Sequence, residues 1–309
     1  MTFSKGYGVF LMLRKIVLVG LAFMVVCASG CIGSSDGDET IVIGSKLFNE
    51  QYIVAHMAAL LLEEHGYNTE VREGLGGTLV NYEALKKGQI DMYLEYTGTV
   101  YNVIFKLPAP DTWDVSTIYA AVEEKLMEED SISIAARPGF RDDYAIAVYE
   151  DWAVTYGVET LTELGLHGAS FSIGTDPEFA SRQDGLPQVE KVYGFTFGSV
   201  KQMQPTLMYE AIKNNEVDAI SAYTTDARVD MYDLVLLEDD KAAFPPYDAI
   251  LITRAELADN DELMESLAML NDLIDTATMR ALNYEYDVEK REPRDIAYDF
   301  LVDQGLLTE

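Results

Sequence analysis

Apolar residues in this chain switch repeatedly between two spacings. ETIVIG is apolar at nearly every position from Ile41, and then Ile53, Val54, Met57, Leu60 and Leu61 recur at three- and four-residue intervals up to Gly66. The first pattern predicts a short buried strand over 40–44 and the second a helix over 49–65 that Gly66 stops. A strand near 68–72 follows, then a glycine turn at 74–77 with Thr78 as the cap of the next helix. Further on, the spacing predicts a helix over 116–129 and strands over 132–136, 145–148, 171–174 and 234–237. After a return strand at 248–252, three helices close the chain at 261–270, 276–288 and 293–304. The last has Pro293 at its start and Gly305 at its end. Strand–helix alternation of this kind predicts α/β units with mainly parallel sheets, whose ligands bind beyond the carboxyl ends of the strands.

One stretch occurs twice. Residues 82–98, YEALKKGQIDMYLEYTG, align without a gap on residues 209–225, YEAIKNNEVDAISAYTT, at an offset of 127. Each copy reads as helix, turn, strand, then a tyrosine where the strand ends: Tyr96 in one, Tyr223 in the other. The turns carry Gly88 and Asn215, residues suited to the left-handed position after a helix. Upstream, Ile43-Gly44-Ser45 is echoed by Ile173-Gly174-Thr175. Two units of roughly a hundred residues predict two related lobes rather than a solenoid. Chain crossings near 141–146 and 241–250 make the first lobe discontinuous: 40–141 plus 244–309 form lobe I, and 142–243 form lobe II. Two lobes joined by a two-strand hinge can close on a cleft, the motion of periplasmic binding proteins.

Composition narrows the function. Lys and Arg number 22 against 53 Asp and Glu, a formal charge of −31. A surface that acidic repels phosphate backbones, so nucleic acid is excluded as a partner, and it suits a solution of high salt where repulsion is screened. Arg14-Lys15 followed by an apolar run over 16–26 has the form of a signal sequence, too short to span a bilayer comfortably. It ends Ala28-Ser29-Gly30-Cys31, which predicts a lipoprotein signal over 1–31 with Cys31 as the lipidated first mature residue. Met12 offers an alternative start. A Ser/Gly/Asp-rich flexible tether spans 32–39. Cys27 and Cys31 are the only cysteines, which leaves the mature fold no disulfide and no thiol nucleophile. No P-loop, Gly-x-Ser-x-Gly or dinucleotide fingerprint is present, and His56, His65 and His167 lack metal-ligand spacing. Neither a metal nor a cofactor is expected, and no enzyme. Asp142-Asp143 and Asp176/Glu178 are read as solvated charge at loop tips.

The chemistry that remains is aromatic and cationic. Tyr96 and Tyr223 fall at equivalent strand ends, Tyr144 at the first crossing and Tyr247 at the second. Facing phenol rings can cage a quaternary ammonium, each ring contributing about 0.5–2 kcal/mol. Such a cation has no N–H to donate and is best matched by π faces. Lys46, Thr99 and Arg182, at neighbouring loop tips, can hold a carboxylate. A cage and a clamp together suit a small zwitterionic betaine.

At these residues the chain resembles the ProX-type glycine betaine/proline betaine-binding lipoproteins of osmoprotectant ABC importers. The likeness runs from about Thr40 to the C-terminus and rests on GSKLFNEQY, EGLGGTLVNYEALK, EYTGT, GFRDDYA, DPEFASR, QPTLMYEAIK, AYTTDARVD and PPYDAI. It implies a two-lobe periplasmic-binding-protein fold, type II-like, with the ammonium boxed by Tyr96, Tyr144, Tyr223, Tyr247 and the Asp142 carbonyl. Lys46, Thr99 and Arg182 would take the carboxylate, and Glu178 would lock the closed form. The resemblance also implies a monomer, lipid-anchored on the outer face of the cytoplasmic membrane, that delivers its ligand to an ABC permease and its ATPase. Choline, carnitine or another quaternary amine is the alternative ligand, and a ligand sensor the alternative role.

Overall fold

The computed structural model describes residues 40–110 and 113–308. Cys31 and the expected signal sequence and tether lie outside the described residues. The ten described strands form two five-stranded sheets. The first has the order β2-β1-β3-β10-β4 (Thr69–Arg72, Ile41–Gly44, Met92–Tyr96, Ala249–Arg254, Ile132–Ala136). The second has the order β7-β6-β8-β5-β9 (Ser199–Gln202, Ser172–Thr175, Ala219–Tyr223, Tyr144–Tyr149, Leu234–Leu236).

These are the same sheet built twice. In each, three strands run parallel, and the fourth, β10 or β5, is inserted antiparallel between the third and the edge. The antiparallel member is the strand that arrives from the other lobe, so each crossing ends by completing the sheet it enters. The sequence pattern predicts mainly parallel sheets, and the inserted strand is the one departure.

The repeated block explains part of the architecture. Gly88 and Asn215 both turn the chain with positive φ, 63° and 56°, where glycine and asparagine are tolerated best. The aspartates that follow, Asp91 and Asp218, do one job in both lobes. The Asp91 carboxylate accepts the Val42 backbone N–H at 2.7 Å, and the Asp218 carboxylate accepts that of Ser172 at 2.7 Å. Each ties the start of a central strand to its neighbour. The helices that precede these turns, Thr78–Lys86 and Pro205–Lys213, have Gly77 and Gln204 at their N-caps with no capping side-chain hydrogen bond, so Thr78 is the first helical residue and not the cap.

Helix Asn49–Glu64 is the core of the first lobe. Ile53, Val54, Met57, Ala58, Leu61 and Leu62 are buried, and the closing helix Pro293–Asp303 packs along it. The C-terminal helices therefore return to the N-terminal sheet. That return positions helix Thr276–Asp287 beside the cleft.

Candidate functional site

Strand register sets the tyrosines. Tyr144 opens β5 directly opposite Tyr223, the last residue of β8, and Tyr96 ends β3 opposite Ala249 of β10. Tyr247 lies two residues before Ala249. Its ring rests against Gly98, where a Cβ would come within 2.8 Å of both the ring and the Pro246 carbonyl oxygen. Only glycine admits that approach.

Tyr144 is the hub. Its ring centroid is 5.2 Å from that of Tyr223, tilted by 39°, and 5.4 Å from that of Tyr247, edge to face. Phe179 and Phe244 complete the wall at 5.1 and 6.0 Å. The Arg182 guanidinium sits 5.4 Å from the Tyr144 centroid. Tyr96 does not stack on this group. It pairs with Phe48, centroids 6.4 Å apart and nearly parallel, and the Lys46 ammonium lies 4.9 Å from its centroid. Thr99 is buried one turn beyond Tyr96.

Buried carboxylates hold the polar tips, which the sequence reading missed. Tyr96 Oη donates to Glu50, and Gln51 Nε2 donates to Tyr96 Oη at 3.1 Å. Lys46 Nζ donates to Glu95, which also accepts from Tyr93 Oη at 3.0 Å. Tyr223 Oη donates to Asp176 at 3.3 Å. Asp184 receives three donors: Arg182 Nε at 2.9 Å, Arg182 Nη2 at 2.6 Å and Tyr247 Oη at 2.8 Å. Asn283 Nδ2 donates to Glu50 and to the Thr225 carbonyl, both at 3.0 Å, and Thr225 Oγ1 donates to Asp142 at 2.8 Å. A continuous polar chain thus links Tyr96 to Asp142 across the hinge.

The expectation that loop-tip carboxylates are solvated is corrected here for Asp142, Asp143 and Asp176. Asp176 is buried because it caps helix Pro177–Ser181, accepting the N–H groups of Glu178 and Phe179 at 2.8 and 3.0 Å. Asp143 accepts the Tyr247 N–H at 2.9 Å and pairs with Arg141. Glu178 alone among them is exposed. One of its oxygens lies 3.5 Å from Arg182 Nη1, and the other is 3.9 Å from where a Gly77 Cβ would stand. It reaches from one lobe toward the other.

These surroundings shift the titrations. Burial pushes the Glu50 carboxyl up, against the Tyr96 hydrogen bond. Burial, then the Glu50 charge, pushes Asp142 well above the carboxylate range. Burial raises the phenols of Tyr96, Tyr223 and Tyr247 far beyond neutrality, so each remains a neutral donor. For Arg182 burial opposes the charge, but the Asp184 hydrogen bonds outweigh it and keep the guanidinium ionised.

Of the ten expected site residues, Tyr144, Tyr223, Tyr247 and Arg182 converge directly. Lys46, Tyr96 and Thr99 form a second group on the facing sheet, and Asp142 connects the two. Glu178 stands at the rim, and Cys31 lies outside the described residues. Glu95 had a signal in sequence, a lone charge inside the apolar strand MYLEY. Glu50, Asp184 and Asn283 had none in so acidic a chain.

A family model for the substrate binding domain of ABC-type glycine betaine transport systems matches residues 39–303. The glycine-betaine-binding protein of Pseudomonas aeruginosa is 35% identical over 284 residues, covering 87% of this chain and 89% of its own. The ergothioneine transport permease/ergothioneine binding protein EgtU of Helicobacter pylori is 33% identical over 271 residues, covering 87% of this chain. The chain spans about half the length of that relative, 48%. A crystal structure of a glycine betaine/carnitine/choline ABC transporter protein superposes with a TM-score of 0.76 at 32% identity, covering 86% of this chain and 99% of the other. With a match running through both sheets and every element of the cleft, this chain belongs to the family of substrate binding domains of ABC-type glycine betaine transport systems.

Proposed function

We propose that the protein is the extracytoplasmic binding component of an ABC importer and captures glycine betaine or proline betaine between its lobes. The observation that carries this reading is the convergence of the Tyr223 and Tyr247 phenol rings on that of Tyr144 beside a guanidinium. The trimethylammonium sits among Tyr96, Tyr144, Tyr223 and Tyr247, with the Asp142 carbonyl closing the box. Asp184 fixes the Nε and Nη2 edge of Arg182, and Nη1, held only by a 3.5 Å contact with the exposed Glu178, takes the ligand carboxylate. Lys46 and Thr99 approach from the other lobe, and Glu178 reaches across the rim. Neither half-site suffices alone, so ligand favours the closed arrangement by its differential affinity. Closed protein docks as a monomer on a membrane permease whose ATPase drives uptake. Lipid on Cys31 keeps it at the outer face of the cytoplasmic membrane.

Choline or carnitine is the second reading. The commitment of Arg182 to Asp184 favours it, because the cage can then act without the clamp. Calorimetry with glycine betaine, proline betaine and choline, on wild type and Arg182→Ala, separates the two. Loss of both betaines with choline spared supports the clamp. Unchanged glycine betaine affinity in Arg182→Ala refutes it.

A further inference from the structure

Basic side chains are scarce in this chain, and nearly all the described ones are spoken for. Among the ten described lysines, Lys46, Lys86, Lys87 and Lys125 are in ion pairs, and Lys201 and Lys290 donate to backbone carbonyls. Lys213 and Lys241 lie over tyrosine rings. Lys106 and Lys191 alone, among the described residues, have no acidic, carbonyl or aromatic partner. They line the same cavity, of about 510 Å³. Lys106 comes from the turn after Val100–Ile104, with φ +51°. Lys191 lies in the last turn of helix Leu186–Tyr193, in the other lobe.

The remaining polar lining is equally one-sided. Gln183 and Gln188 carry amide donors, Asn102 has one of its amide hydrogens committed to the Gly98 carbonyl at 2.9 Å, and Arg182 also lines the cavity. The one carboxylate there, Asp184, is neutralised by Arg182 and accepts a hydrogen bond from Tyr247. With formal charge −31 on the chain, carboxylates to pair two lysines are abundant, yet among the described residues none pairs with Lys106 or Lys191. Both lysines are exposed at the cavity they share; two ammonium groups on one cavity wall repel, and they cost least with an anion between them.

We propose that this interlobe cavity is a second, oxyanion-binding subsite, bridged by Lys106 and Lys191, whose occupancy draws the lobes together. The oxyanion arrives either free, as inorganic phosphate, or as the distal carboxylate of a quaternary amine longer than glycine betaine whose ammonium occupies the cage. An anion that binds only when both lysines are near stabilises the closed form. By linkage it tightens binding at the cage, and cage ligand tightens anion binding equally. The link to the cage rests on the function proposed above. The anion site itself does not.

The test uses Lys106→Gln/Lys191→Gln, neither residue belonging to the cage or the clamp. Melting is followed with and without 10 mM sodium phosphate, at constant ionic strength set with sodium chloride. Wild type is expected to melt higher with phosphate and the double variant not to respond. Calorimetry with glycine betaine is expected to show affinity about fivefold tighter in phosphate for wild type only. If phosphate is inert but the double variant binds carnitine about fivefold more weakly while glycine betaine is unaffected, the oxyanion is the ligand's own tail. A melting response in wild type without any betaine binding leaves the anion site standing and removes the betaine reading. Melting unmoved by phosphate, together with carnitine affinity unmoved by the substitutions, overturns the subsite.

Discussion

Asp184→Asn tests how the clamp is held. Asp184 and Arg182 are 5% and 17% exposed at their side chains, and the carboxylate accepts two guanidinium hydrogen bonds of 2.9 and 2.6 Å. Asparagine preserves volume and can still accept from Tyr247 Oη. What it removes is the charge that compensates a largely buried guanidinium. Breaking one side of a buried pair costs 3–5 kcal/mol, and the residual exposure of Arg182 brings the expectation to about 3 kcal/mol. For a chain of this length 1 kcal/mol is worth roughly 2–4 °C, so the melting temperature should fall by about 6–12 °C. The loss should persist in 1 M salt, since screening acts on exposed pairs. Thermal melts of both proteins, with and without salt, decide the matter. A shift below about 2 °C, or one that salt erases, would refute the reasoning and reduce the pair to a surface contact.

Gly98→Ala should weaken glycine betaine binding tenfold or more by calorimetry, roughly 1.4 kcal/mol, because the new Cβ displaces the Tyr247 ring. Tyr144→Leu keeps apolar bulk but removes the π face at the hub. Affinity should drop by about 0.5–2 kcal/mol with a smaller change in melting temperature. Asp142 and Glu50 have raised folded-state pKa values, so the folded protein holds protons that the unfolded chain has lost. Their contribution to stability is therefore fullest below the ordinary carboxylate range and declines as pH rises through the folded pKa. A bound ammonium favours the ionised carboxylates, so betaine binding should release protons and strengthen with pH. Calorimetry in buffers of different ionisation enthalpy measures the release, and Asp142→Asn should reduce it.

Local rules made much of this protein legible. Strand and helix periods are local properties, so 40–44, 49–65 and the closing helices correspond to β1, Asn49–Glu64 and the three C-terminal helices within a residue or two. The same holds for the repeat, whose Gly88 and Asn215 take the same left-handed turn. The positions of Tyr96, Tyr144, Tyr223 and Tyr247 were also legible, because strand ends and crossings can be placed from the pattern. Short strands without strong alternation were not, and β7, SVKQ, exposed along its length, passed unseen.

The sequence by itself determined two α/β units, their doubling, and an aromatic and cationic set of residues at the strand ends. Tertiary structure alone decided that β10 inserts antiparallel into the first sheet and β5 into the second, bringing Tyr144 opposite Tyr223. It also decided which of many carboxylates are buried, so that Glu50, Glu95, Asp176 and Asp184 fasten the phenols, the lysine and the guanidinium. The reason is range. Periodicity and turn chemistry act over a few residues, whereas the choice among 53 acidic side chains depends on desolvation and partners brought together from distant parts of the chain.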